Sequence, residues 1–64
     1  MVSYEIAVYS LDDQTLLFRA RGTRSQHENS IPRVMLDELG RKYGECRVVY
    51  NNLSEGWKAE KEFY

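Results

Sequence analysis

The sequence predicts a small α+β domain, β-β-α-β-β, with one helix packed on one face of an antiparallel sheet. Three observations carry this expectation. Residues 2–11 and 15–22 alternate apolar and polar side chains on either side of a short acidic segment, the pattern of a β-hairpin. Residues 31–43 carry apolar side chains at four-residue spacing and run into a glycine, the pattern of an amphipathic helix with its stop. Two further alternating runs, 45–51 and 57–64, flank a loop that ends in Gly56, a second hairpin.

The first strand is rich in β-branched and aromatic residues, with Val2, Tyr4, Ile6 and Val8 on one face. Asp12-Asp13-Gln14 interrupts the alternation, and Leu16, Phe18 and Ala20 then share the same face of the second strand. Pairing Leu11 with Thr15 sets Val8 opposite Phe18 and Ile6 opposite Ala20. On the other face it sets Tyr9 against Leu17, Ala7 against Arg19 and Glu5 against Arg21. The last pair is opposite in charge and worth a few tenths of a kcal/mol. No glycine in this loop supplies a left-handed position.

Residues 22–30 are polar and without periodicity, so a loop is expected there. A helix then starts at Ser30 or Ile31, with Pro32 in its first turn. Ile31, Met35, Leu39 and Tyr43 form its apolar stripe, widened by Val34 and Leu36, while Arg33, Asp37 and Arg41 face water. Arg41 and Lys42 suit the negative end of the helix dipole, and Gly44 ends the helix. Gly40 costs roughly 1 kcal/mol relative to alanine unless something packs closely against it.

The third strand places Cys46, Val48 and Tyr50 inward. The last segment mixes good helix formers with alternating Trp57, Ala59 and Phe63. Closing the loop at Asn52–Trp57 brings Tyr50 beside Ala59, Cys46 beside Phe63 and Arg47 beside Glu62. That agreement favours a fourth strand over a terminal helix. The strand order within the sheet is left open.

Sixty-four residues make one domain, 1–64. A chain of this length buries only about 60% of the surface its unfolded form exposes. Ordering costs roughly 1.5 kcal/mol per residue, so one small core barely offsets it. Small domains therefore lean on disulfides, a metal or a partner chain. Cys46 is the single cysteine and His27 the single histidine, so neither an internal disulfide nor a cluster of soft metal ligands is expected. Good packing or self-association remains.

The chain is 42% hydrophobic and 30% charged with a net charge of −1, a globular composition with no strong pull toward nucleic acid or an anionic membrane. No apolar run approaches the roughly 20 residues of a bilayer span. The first residues lack the basic and apolar regions of a secretory signal, and the lone cysteine fits a reducing compartment. The expectation is a cytoplasmic protein.

Catalytic parts are missing from the sequence. His27 and Glu28 are adjacent in a polar loop, where neighbouring side chains diverge and water is not excluded. Asp12 and Asp13 are explained by turn chemistry without a bound cation. Cys46 reads as a small buried hydrophobe rather than a nucleophile. No Gly-x-Ser-x-Gly, phosphate-cradling loop or His-Glu-x-x-His motif occurs. The reading is a non-enzymatic chain with no catalytic residue, cofactor or metal.

Two surfaces remain. Tyr9, Leu11, Leu17 and Val49 fall on the face away from the helix, leaving it partly apolar, and such patches mark partner surfaces. The leading expectation is a small binding module or modulator that acts through this face, on another protein or on a second copy as a homodimer. The alternative is a weak nucleic-acid binder in which Arg19, Arg21 and Arg24 hold phosphates while Tyr9 stacks a base. Against it stand the cross-strand Glu5, the acidic Glu60 and Glu62, and the near-neutral charge balance.

Overall fold

The computed structural model describes residues 1–25 and 31–64 and contains β1 (Val2–Ser10), β2 (Leu16–Arg24), α1 (Ile31–Tyr43), β3 (Cys46–Asn52) and β4 (Trp57–Phe63). The strands form one sheet in the order β2-β1-β3-β4, and every neighbouring pair is antiparallel. The β-β-α-β-β reading holds, and the last segment is a strand.

The order puts β1 and β3 at the centre of the sheet and one hairpin on each side. Central strands bury both faces more fully than edges do, and the core follows that rule. Ile6 and Val8 from β1 meet Cys46, Val48 and Tyr50 from β3, each no more than 1% exposed, with Leu36 of α1 above them. Full burial of a side chain the size of Ile6 or Val8 contributes about 1.5–3 kcal/mol.

The second hairpin matches expectation in every pair: Asn52 opposite Trp57, Tyr50 opposite Ala59, Arg47 opposite Glu62 and Cys46 opposite Phe63. Its loop closes because Gly56 reaches φ +79° and donates its amide to the Asn52 carbonyl at 2.9 Å. The Asn52 side-chain oxygen accepts the Glu55 amide at 2.8 Å.

The first hairpin matches in its arms and departs at its tip. Glu5–Arg21, Ile6–Ala20, Ala7–Arg19 and Val8–Phe18 pair as expected, but Tyr9 lies opposite Leu16 rather than Leu17. A β-bulge at this point inserts one extra residue into β2. Leu11 leaves the strand for the turn, and Ser10 takes the closing place, its amide donating to the Thr15 carbonyl at 2.8 Å. Gln14 adopts the left-handed conformation at φ +62° that no glycine fills. Asp13 accepts the Thr15 amide at 3.0 Å, and hydrogen bonding from the Thr15 side chain, with that amide, holds its carboxyl below the usual aspartate range. Turn chemistry accounts for Asp13, and the Asp12 amide donates to the Ser10 hydroxyl at 3.3 Å within the same turn.

The helix begins at Ile31 and places Leu36 and Gly40 in the core, with Met35, Leu39 and Tyr43 partly buried against it. Val34, expected on the apolar stripe, is exposed, because the helix rests on β3 and β4 and turns that residue away. Gly40 is explained by close packing: a Cβ there would overlap the Phe63 ring. Gly44, at φ +60°, ends the helix and donates to the Gly40 carbonyl at 2.9 Å. His27, Glu28 and Ser30 lie outside the described residues.

Candidate interaction face

Strand parity assigns the open side of the sheet. Val2, Tyr4, Ile6 and Val8 point under the helix, so Ser3, Glu5, Ala7 and Tyr9 face the other way. Their partners Arg19 and Arg21 on β2, and Arg47, Val49 and Asn51 on β3, share that face.

The bulge shapes its most apolar corner. Two residues of β2 oppose Tyr9 there, so Leu16 and Leu17 both stand beside it, 46% and 44% exposed. Leu16 was expected in the core with Phe18 and Ala20. The extra residue breaks the alternation and moves it outward. On the other flank of Tyr9, its β3 partner Arg47 lays its guanidinium 5.3 Å from the ring centre, within cation–π range. The Arg47 Nε is buried and, among the described residues, has no hydrogen-bond partner. Ala7 lies at the floor, 4% exposed between Arg19 and Val49.

Tyr9, Leu17 and the half-buried Val49 stand on this face. Leu11 lies just past the end of β1, where its amide donates to the Glu45 carbonyl at 3.3 Å and continues the β1–β3 ladder, and it lines a shallow recess with Asp12, Glu45 and Tyr64 at the end of the sheet. Leu16 and Arg47 join the face. Arg47 was visible in the sequence only as a partner for Glu62, and Leu16 only as a core residue.

The three arginines also separate. Arg19 and Arg21 stand on the open face around Glu5, whose carboxylate lies 2.6 Å from Arg21 Nε and 3.7 Å from Arg19 Nε. The hydrogen bond from Arg21, reinforced by the charge of Arg19, lowers the Glu5 pKa below the ordinary 4.5. Arg24 was expected beyond the end of the strand. Instead β2 extends to include it, paired with Val2 on the helix side, and it is 8% exposed. Its Nε donates to the Tyr50 hydroxyl at 2.6 Å, and Tyr50 stacks on Tyr4 with ring centres 5.5 Å apart. A charged group so enclosed persists because its hydrogen bonds, that one and another from Nη1 to the Ser25 carbonyl at 3.0 Å among them, compensate for lost water. Arg24 anchors the sheet's edge and is turned away from any ligand on the open face.

Cys46 is fully buried, and burial raises its thiol pKa. Among the described residues no three His, Cys, Asp or Glu side chains gather as metal ligands, and no helix is long and apolar enough to cross a membrane. On the helix side, a recess of about 280 Å³ lies between α1 and the first hairpin, lined by Tyr4, Phe18 and Ala20 below and Met35 and Leu39 above. Against known proteins, the chain matches no family model, no curated protein and no solved structure.

Proposed function

We propose that this chain is a small non-catalytic protein-binding module whose contact surface is the open face of the sheet, centred on Tyr9. One observation carries the reading. The bulge sets two exposed leucines beside a tyrosine already flanked by an arginine, and tyrosine and arginine are enriched among residues that dominate binding energies. The rim fixes the partner's chemistry. Arg19 and Arg21 outnumber Glu5 on the β2 side of the apolar corner, while on the β4 side Glu62 lies opposite Arg47, so the matching surface is apolar at its centre and acidic where it meets β2. A cytoplasmic setting belongs to this proposal, as does action as a modulator of the bound protein.

A photo-crosslinking residue at Leu17 tests the reading in extract from the native host, with the same residue at exposed Val34, on the helix, as the control. The expected result is a discrete crosslinked protein at position 17 that is absent at 34 and lost with Tyr9→Lys, while circular dichroism of the Tyr9→Lys chain is unchanged. Identical crosslinks at both positions, or adducts indifferent to Tyr9→Lys, would overturn it. The phosphate-binding alternative predicts nucleic acid in the adduct, and it starts with two exposed arginines instead of three because Arg24 is enclosed.

A further inference from the structure

The outer strands β2 and β4 each leave one row of backbone amides and carbonyls without a neighbouring strand. Their open-face side chains are opposite in charge. β2 presents Arg19 and Arg21 and contains no carboxylate. β4 presents Glu60 and Glu62 with Lys58, and among the described residues neither glutamate is in a salt bridge. Glu5 is the one carboxylate that serves both arginines, so the β2 edge keeps an excess of positive charge.

We infer that β2 of one copy of this chain pairs antiparallel with β4 of a second copy, continuing the sheet from molecule to molecule. Direction allows it. With the order β2-β1-β3-β4 and every neighbouring pair antiparallel, β2 and β4 run in opposite senses. A second copy placed alongside, helix on the same side, therefore presents β4 antiparallel to β2. Length also matches. Beyond the bulge, β2 is regular over residues 18–24, seven positions, and β4 has seven residues.

One register satisfies both faces. Setting Phe18 opposite Phe63 places Arg19 opposite Glu62 and Arg21 opposite Glu60. Opposite charges and aromatic pairs are the stabilising cross-strand combinations. Lys61 is the charge of β4 that points to the helix side, and it is already held by Asp37 at 3.0 Å, so it brings no unpaired charge to the joint. Self-pairing of β2 fares worse. Having no acid, it sets arginine against arginine or against an uncharged residue in every register, and like charges directly opposite are destabilising. The chosen pairing is head-to-tail, which closes into a ring or extends as a filament. It uses the strand edges and does not rest on the open-face proposal.

Sedimentation velocity of the full chain, at concentrations up to about 1 mM and at low and high salt, tests the inference. The expected result is a species heavier than the 7.6 kDa monomer that grows with concentration and recedes as salt screens the ion pairs. Arg19→Glu/Arg21→Glu makes both edges acidic, and Glu60→Arg/Glu62→Arg makes both edges basic. Each variant alone should associate about tenfold more weakly or worse, and an equimolar mixture should regain association. Tyr9→Lys should leave it unchanged, which separates this edge from the open face. The first variant places glutamates beside Glu5, so circular dichroism checks its fold. The second lies at the opposite edge, and its self-association decides the matter if the first unfolds. A monomeric wild-type chain across the range overturns the pairing, as does a folded Glu60→Arg/Glu62→Arg variant that assembles like wild type.

Discussion

At Gly40 the structure reverses the sign of a familiar substitution. Replacing glycine by alanine inside a helix ordinarily stabilises by about 1 kcal/mol. Here the glycine is buried and the added methyl group would overlap the Phe63 ring. Overpacking of this kind costs typically 1–3 kcal/mol. Gly40→Ala should therefore show none of the usual gain and lose up to about 2 kcal/mol, the overpacking cost less the helix gain. In a Phe63→Ala background the obstacle is gone, and the same change should stabilise by about 1 kcal/mol. The coupling between the two positions is then about 1–3 kcal/mol. Thermal unfolding of the four chains measures it, since 1 kcal/mol moves the midpoint of a domain this size by about 4–8 °C. A rise of equal size from Gly40→Ala in both backgrounds would refute the packing role assigned to Phe63.

Two further outcomes follow from the core and from Glu5. Cys46 should react with a thiol reagent only as fast as the domain unfolds, because burial both shields it and raises its pKa; rapid, complete labelling of the folded chain would contradict this. Glu5 has a depressed pKa in the folded state, so its contribution to stability is complete above the ordinary 4.5 and is lost as pH falls through the folded value. Glu5→Gln should flatten the acid limb of the unfolding free energy and leave its slope near neutrality unchanged; parallel acid limbs for the two chains would remove Glu5 from that role.

The arms of the first hairpin were legible because Glu5–Arg21 and Ile6–Ala20 satisfy charge and hydropathy in the same register. The second hairpin was legible because Gly56 marks the one loop position that must be left-handed. The bulge left no such mark. Leu16, Leu17 and Phe18 are apolar in succession, so hydropathy is satisfied by either parity, and the residue that slips outward is decided by the turn at Gln14. Arg24 was misplaced for a different reason. Guanidinium groups are assigned to water by default, and partners such as the Tyr50 hydroxyl, brought near by the β1–β3 pairing, and the Ser25 carbonyl make an enclosed position tolerable. The candidate face holds Tyr9, Leu17 and Val49 as read from parity, and the bulge adds Leu16 to it.

The strand order has a kinetic consequence. Each hairpin closes over a few residues, whereas the β1–β3 ladder joins positions 36 to 48 apart in the chain. Loop-closure entropy must be overcome before that ladder returns any stability, and its entropic cost rises with the logarithm of the loop length. The hairpins can therefore form early, and the docking of β1 against β3 limits the rate. Until it happens, β1 and β3 are themselves unpaired edges, with Ile6, Val8, Val48 and Tyr50 facing water. Changes that slow this docking, even ones that leave the final structure untouched, lengthen the time the chain spends in its most aggregation-prone form.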